Sequence, residues 1–130
     1  MQQILITGNL GRDPEMRYTP NGKAVTNFSV ADNRKFTTAD GQVKEETIWF
    51  RVQCWERLAE TTNEHLKQGA HVLVLGELIA DEHGGPKVWK TQDGTMRASF
   101  EVRAQRVDFL DRKPADATAV TEGAPTELSA

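Results

Sequence analysis

The nine residues Thr47-Ile48-Trp49-Phe50-Arg51-Val52-Gln53-Cys54-Trp55 constrain the fold more than any other stretch of the chain. Their β-branched and aromatic content reads as a strand, and successive side chains on a strand point to opposite faces. One face then carries Ile48, Phe50, Val52 and Cys54, an ordinary apolar set for a core. The other carries Trp49, Arg51, Gln53 and Trp55. A face that met only water would be polar, yet this one holds two of the three tryptophans with an arginine between them. Flat aromatic rings interleaved with guanidinium suit the stacking of unpaired bases, each stacked base contributing roughly 1–3 kcal/mol. The alternative is a strand buried on both sides, as in a sandwich.

Composition narrows the class. At 130 residues the chain is long enough for one domain with a real core. It contains no run of 18 apolar residues, no basic segment ahead of the first strand pattern at Ile4-Leu5-Ile6, and no Arg-rich transit segment. A lone Cys54 excludes a disulfide framework and fits a reducing compartment, with the thiol acting as a small core hydrophobe. The net charge is −3, but residues 1–113 hold all 16 Lys and Arg against 16 Asp and Glu and sum to zero. The remaining acids, Asp116, Glu122 and Glu127, lie beyond Lys113. Any surface for a polyanion must therefore be a local basic stripe on a neutral body.

Turn signals divide the body into strands. Gly8 and Gly11 predict a bend or bulge in the first, and Pro20-Asn21-Gly22 a turn before a second in which Ala24, Thr26, Phe28 and Val30 alternate with Val25, Asn27, Ser29 and Ala31. Residues 37–46 read as a polar loop around Asp40-Gly41. Glu56 to Lys67 is the single helical pattern: Leu58, Ala59, Thr62 and Leu66 share a face, acids stand near its start, Lys67 near its end, and Gly69 stops it. His71 to Ile79 is the next strand. A polar hairpin at Gly84-Gly85-Pro86 leads to Val88-Trp89-Lys90, and a turn at Asp93-Gly94 leads to a last strand, Arg97 to Leu110, with a slip in its apolar phase. Residues 111–130, rich in Ala, Thr, Pro and acid, are expected to form a disordered acidic tail. Three strands, one helix between strands 3 and 4, and two more strands is the order of an all-β, five-stranded OB-fold barrel over residues 1–110. In such a barrel Trp49, Trp55, Trp89 and Phe36 are expected to converge on one side.

With these motifs in order, the chain resembles the bacterial single-stranded DNA-binding protein family. The carrying stretches are Gly8-Asn9-Leu10-Gly11-Arg12-Asp13-Pro14-Glu15-Met16-Arg17-Tyr18, Pro20-Asn21-Gly22, Trp49-Phe50-Arg51-Val52, Leu58-Ala59-Glu60, Lys67-Gln68-Gly69 and Val72-Leu73-Val74-Leu75-Gly76. The resemblance covers residues 1–110. It implies sequence-nonspecific binding and protection of single-stranded DNA in replication, recombination and repair. It also implies a homotetramer, a cytoplasmic, nucleoid-associated place in a bacterial, phage or plasmid setting, and no cofactor, metal or membrane. By position it gives Trp49, Trp55, Trp89 and Phe36 the role of base-stacking aromatics, Phe36 as the smaller platform. Arg51 and Arg57 become basic residues on the DNA path, and Arg17, Lys67 and Lys87 phosphate contacts. Phe50 falls at a position near the subunit interface.

Two features depart from the family pattern. The stretch Ile79 to Lys87 is long and carries Asp81-Glu82-His83 where relatives carry bases, which favours subunit contact over phosphate contact; adjacent residues of this kind rarely converge on one metal ion. The end, Thr126-Glu127-Leu128-Ser129-Ala130, does not match the acidic-hydrophobic tip that docks replication and repair partners, so no tail-mediated partner is expected and the chain reads as truncated or as a phage, plasmid or paralogous branch. The competing readings are a primosomal replication-restart OB protein, dimeric, and an OB module whose aromatics form a protein interface. His65, His71 and His83 fall in different elements and no nucleophile context is recognisable, so an enzyme is not expected.

Overall fold

The computed structural model describes residues 1–111. The expected acidic tail falls, but for Asp111, outside these residues. Seven strands and one helix follow in the order β1 (Ile4–Leu10), β2 (Glu15–Tyr18), β3 (Ala24–Thr37), β4 (Val43–Trp55), α1 (Glu56–His65), β5 (His71–Leu78), β6 (Lys87–Lys90) and β7 (Met96–Phe109). The sheet runs β1-β5-β7-β4-β3, and β3 returns to β1 through Asn9↔Ala31 and Leu10↔Val30. Five strands thus close into the barrel the sequence predicts, with the helix between its third and fourth strands. β2 is added outside β3, and β6 forms a hairpin with β7.

Closure depends on β1 pairing with two partners. Its first part follows β5 from Ile4↔Gly76 to Asn9↔His71, and its end turns toward β3. The bend falls where Gly8 was expected to permit one: a Cβ there would run into the carbonyl oxygen of Ala31. The slip in the last strand is real as well. β5 and β7 pair as Leu75↔Arg106 and then Gly76↔Ala104, leaving Gln105 as the extra residue of a bulge.

The core is the inward face of these strands. Val30, Val52, Cys54, Val72, Val74 and Val102 are all but inaccessible, with Ile6, Leu10, Phe28 and Phe50 packed among them. Such burial, at about 25 cal/mol per Å² of apolar surface, is what holds a small barrel together. The helix covers one end. Ala59 and Thr62 are buried, and the Thr26 hydroxyl donates to the Ala59 carbonyl at 2.7 Å, tying α1 to β3. The helix ends at His65, earlier than the pattern predicts. Leu66 N–H still donates to the Thr62 carbonyl, and Lys67 lies in the following loop. Burial pushes the Cys54 thiol up to about 12, against a smaller opposing hydrogen bond with Thr62.

One expectation is corrected. Residues 37–46 are not a polar loop. β3 runs to Thr37 and β4 starts at Val43, with the register unbroken from Asp32↔Ile48 to Thr37↔Val43, so the loop shrinks to residues 38–42. This arm has no core to pack on, which is why apolar alternation fails to mark it. Backbone pairing and cross-strand charge pairs, Arg34–Glu46 at 2.9 Å and Lys35–Glu45 at 3.9 Å, sustain it instead. β2, four residues beside β3 of which only Met16 is partly buried, carries too little pattern to be marked as a strand.

Candidate nucleic-acid interface

The strand registers place side chains on the outer face. On β4, Phe50, Val52 and Cys54 are buried, so Trp49, Arg51, Gln53 and Trp55 point outward, as alternation demands. Residues paired across strands share a face. Arg51 is opposite Ser29 and Glu101, Gln53 opposite Asn27 and Arg103, and Trp55 opposite Val25, which is opposite Arg17. Lys87 and Trp89 on β6 lie opposite Ser99 and Arg97 and extend the same face.

The face is divided into two clefts. The larger, about 650 Å³, is lined by Trp49, Arg51, Trp89, Arg12, Arg97 and Phe100, among others. Three arginines and no carboxylate line it. Trp49 and Trp89 are 50% and 39% exposed, large apolar rings left open in a wet groove. The Arg51 guanidinium carbon lies 5.9 Å from the centroid of the Trp89 ring, in reach of a cation–π contact that holds both in place. Trp49 packs over Gly11; a Cβ at Gly11 would come within 2.6 Å of its ring. A side chain at Gly11 would therefore displace the indole.

The second cleft, about 430 Å³, holds Trp55 with Lys23, Leu58, Arg103 and Glu56. Trp55 is six residues beyond Trp49, about 20 Å along a strand that rises ~3.3 Å per residue. Its indole N–H donates to Gln53 Oε1 at 2.8 Å. Glu56, at the strand-to-helix junction, takes φ +56°, the single non-glycine residue with positive φ among those described.

The structure therefore brings Trp49, Arg51 and Trp89 together and sets Trp55 apart on the same face. Phe36 lies elsewhere. Alternation along β3 puts it with Arg34 on the other side of the arm from the Trp49 row, and the Arg34 guanidinium carbon is 5.7 Å from its ring centroid. Three of the four aromatics share the outer face and do not form one cluster, and Phe36 is not among them. Of the expected basic contacts, Arg51 lines the large cleft, and Arg57 and Lys67 are exposed on and after α1, outside both clefts. Lys87 reaches the face but sits 3.5 Å from Glu101, and Arg17 is 3.7 Å from Glu15, so part of each charge is already balanced. Asp81 does not face outward as a ligand: its carboxylate accepts the N–H groups of Gly85 and His83, which hold it below the usual carboxylate range.

Arg12, Arg97, Lys23 and Arg103 line the clefts without having been singled out from sequence. One of them was within reach in part: the turn at Asp93-Gly94 announces the hairpin that brings Arg97 near Trp89, although a two-residue turn there would pair residue 89 with 98 and the observed Trp89↔Arg97 register needs the longer loop 91–95. Arg103 was not, because its place beside Gln53 comes from the parallel β4–β7 contact that closes the barrel.

The model of the Single-strand binding protein family matches residues 1–110. Single-stranded DNA-binding protein 2 of Chlorobaculum tepidum is 38% identical over 87% of this chain and 73% of its own. The single-stranded DNA-binding proteins of Helicobacter hepaticus and Neisseria meningitidis are 35% and 34% identical; this chain spans 62% and 60% of their lengths. Among solved structures, a deletion mutant of the single-stranded DNA binding protein from Thermus aquaticus superposes with TM-score 0.67 at 30% identity, over 85% of this chain and 51% of that one. A Plasmodium falciparum SSB complex with ssDNA superposes with TM-score 0.70 at 22% identity, over 85% and 96%, a likeness of fold. With its barrel, its outward tryptophans and a family match over the whole described body, the chain belongs to the Single-strand binding protein family.

Proposed function

We propose that this chain binds single-stranded DNA with little sequence preference and shields it during replication, recombination and repair. The observation that carries the reading is the large cleft, where exposed Trp49 and Trp89 flank Arg51 with no carboxylate in the lining. Every base has a π-face, so aromatic platforms hold a strand whatever its sequence, and guanidinium groups meet the phosphates between. Trp55, Lys23 and Arg103 extend the path along β4, while Phe36 with Arg34, on the other side of the arm, serves as an outlying aromatic contact. Arg57, Lys67, Lys87 and Arg17 serve as outlying phosphate contacts, weaker where already paired. The names of the relatives support the same substrate.

The working form is a homotetramer. Supporting this, Leu5 on β1 is 64% exposed and stands opposite Leu75, with Leu73 opposite Thr7 beside it. That apolar stripe lies on the outside of the barrel, away from the tryptophans, and suits a second copy. The protein acts by binding rather than catalysis, in the cytoplasm beside the nucleoid. Its described helix is neither long nor apolar enough to cross a membrane.

Titration with a poly-dT oligonucleotide followed by tryptophan emission tests the reading. Strong quenching, with poor competition by duplex DNA, is expected. Unchanged emission at saturating oligonucleotide sinks it. Sedimentation of the free protein separates a tetramer from a dimer or monomer.

A further inference from the structure

Trp55 and Gln53 stand two residues apart on the outer face of β4, so their side chains project side by side. The indole N–H donates to Gln53 Oε1 at 2.8 Å, a well-formed bond between two partly exposed groups. Nothing in the barrel requires it. Gln53 is not part of the core, and the fold closes through backbone pairing at Asn27↔Gln53 and Gln53↔Arg103 whatever the side chain. Trp49 and Trp89 are constrained in other ways, one by Gly11 beneath it and one by the Arg51 guanidinium. Trp55, at the mouth of a shallower cleft, depends on its neighbour.

An indole N–H is a donor only, so the amide must turn its oxygen to Trp55 and its –NH2 away. That leaves two donors free on the outer face, beside Arg103 on the next strand. Resting on the functional reading above, we propose that Gln53 is a positioning residue for Trp55: it holds the indole in one orientation before a base arrives and presents its remaining N–H groups to the strand. A stacking platform whose rotamer is already fixed loses less side-chain freedom when the base lands on it.

The test is a cycle on the full chain, with Gln53→Leu, Trp55→Phe and the double variant titrated against a dT oligonucleotide. Gln53→Leu is expected to raise Kd about 3- to 10-fold, the range a single net hydrogen bond supplies. In the Trp55→Phe background, which has no indole N–H, the same change is expected to have a much smaller effect. The indole proton resonance of Trp55 gives an independent readout: it should move upfield in Gln53→Leu and return in Gln53→Glu, which keeps an acceptor but adds a charge unfavourable to phosphate. A Gln53→Leu loss of equal size in both backgrounds, or no loss in the unaltered background, overturns the inference. So does an indole resonance indifferent to Gln53. If the unaltered chain binds no oligonucleotide while the resonance behaves as expected, the functional reading fails and the positioning role fails with it, although the hydrogen bond stands.

Discussion

The two faces of β4 are made by alternate residues of one strand and are governed by different physics. Inward, Phe50, Val52 and Cys54 are buried against Phe28, Val30 and Val102, where volume and polarity decide whether the barrel forms. Outward, Trp49, Arg51, Gln53 and Trp55 lie outside that core cluster, and Trp49 is 50% exposed. The large rings on the outer face are therefore not explained by stability, and function is what remains to explain them. Changes on the inner face should be read as folding, and changes on the outer face as binding.

The comparison breaks most visibly at Val52. It is 1% exposed, and Val52→Asp buries a charge with no partner. The expected cost is more than about 4 kcal/mol, enough to unfold the domain, as urea denaturation would report. A Val52→Asp chain that keeps its urea midpoint would mean the inner face is not the core.

On the outer face the expectation is reversed. Trp49→Ala and Trp89→Ala should each weaken oligonucleotide binding by roughly 1–3 kcal/mol. Their urea midpoints should barely move, since surface changes fall within about 0.5 kcal/mol. Gly11→Ala sharpens the point, because its Cβ displaces the Trp49 ring without removing it; affinity should fall while the number of stacking groups is unchanged. Loss of stability without loss of affinity in any of the three would erase the distinction between the faces.

The junction between strand and helix tests both at once. Glu56 sits at φ +56°, a conformation that costs a residue with a Cβ on the order of 1 kcal/mol and glycine almost nothing. Its carboxylate also lines the Trp55 cleft, where a phosphate would be repelled. Glu56→Gly should raise stability by about 0.5–1 kcal/mol, less what a first-turn acid contributes to the helix dipole, and tighten DNA binding at low salt.

Arg51→Ala and Arg97→Ala should make the dependence of log K on log salt shallower by less than about one unit each, since a neutralised phosphate contributes about 0.7 on single strands. Base preference should not change. A shift between dT and dC with the salt slope intact would mean these arginines read bases, not phosphates.

The smallest effect concerns pH. Asp40 and Asp93 lie below the usual carboxylate range chiefly because the hydroxyls of Thr38 and Thr91 donate to them, with Gln42 and Thr95 N–H groups assisting. Lowered carboxylates stabilise the folded hairpins above the ordinary value near 4, and that contribution fades as pH falls through the lowered ones. Amide protection factors, exchange corrected for its intrinsic pH dependence, should therefore fall in residues 38–42 and 91–95 below about pH 4, before those of the barrel strands do.

How much of this was legible depended on what each element packs against. Alternation exposed β3, β4 and β5 because each has one face on a core, and Ala59, Thr62 and Leu66 marked the helix for the same reason. The β3–β4 arm packs on nothing, so Glu45 and Glu46 read as loop although their backbone is paired with Lys35 and Arg34. Trp49 and Trp55 were legible as outward from phase alone. Their division between two clefts was not. Trp89 meets Arg51 only because β6 folds back on β7 and β7 lies beside β4, contacts far apart in sequence. Gln53 was placed on the right face, but its bond to Trp55 needed coordinates.

The most direct measurement is photo-crosslinking of the full chain to a dT oligonucleotide carrying 5-iodouracil, with the linked residues mapped by mass spectrometry. Crosslinks concentrated at Trp49 and Trp89, with Trp55 and Phe36 weaker, are the expected result. Crosslinks confined to the outer face of β1 and β5, around Leu5 and Leu73, would place the strand on the opposite side of the barrel and contradict the account.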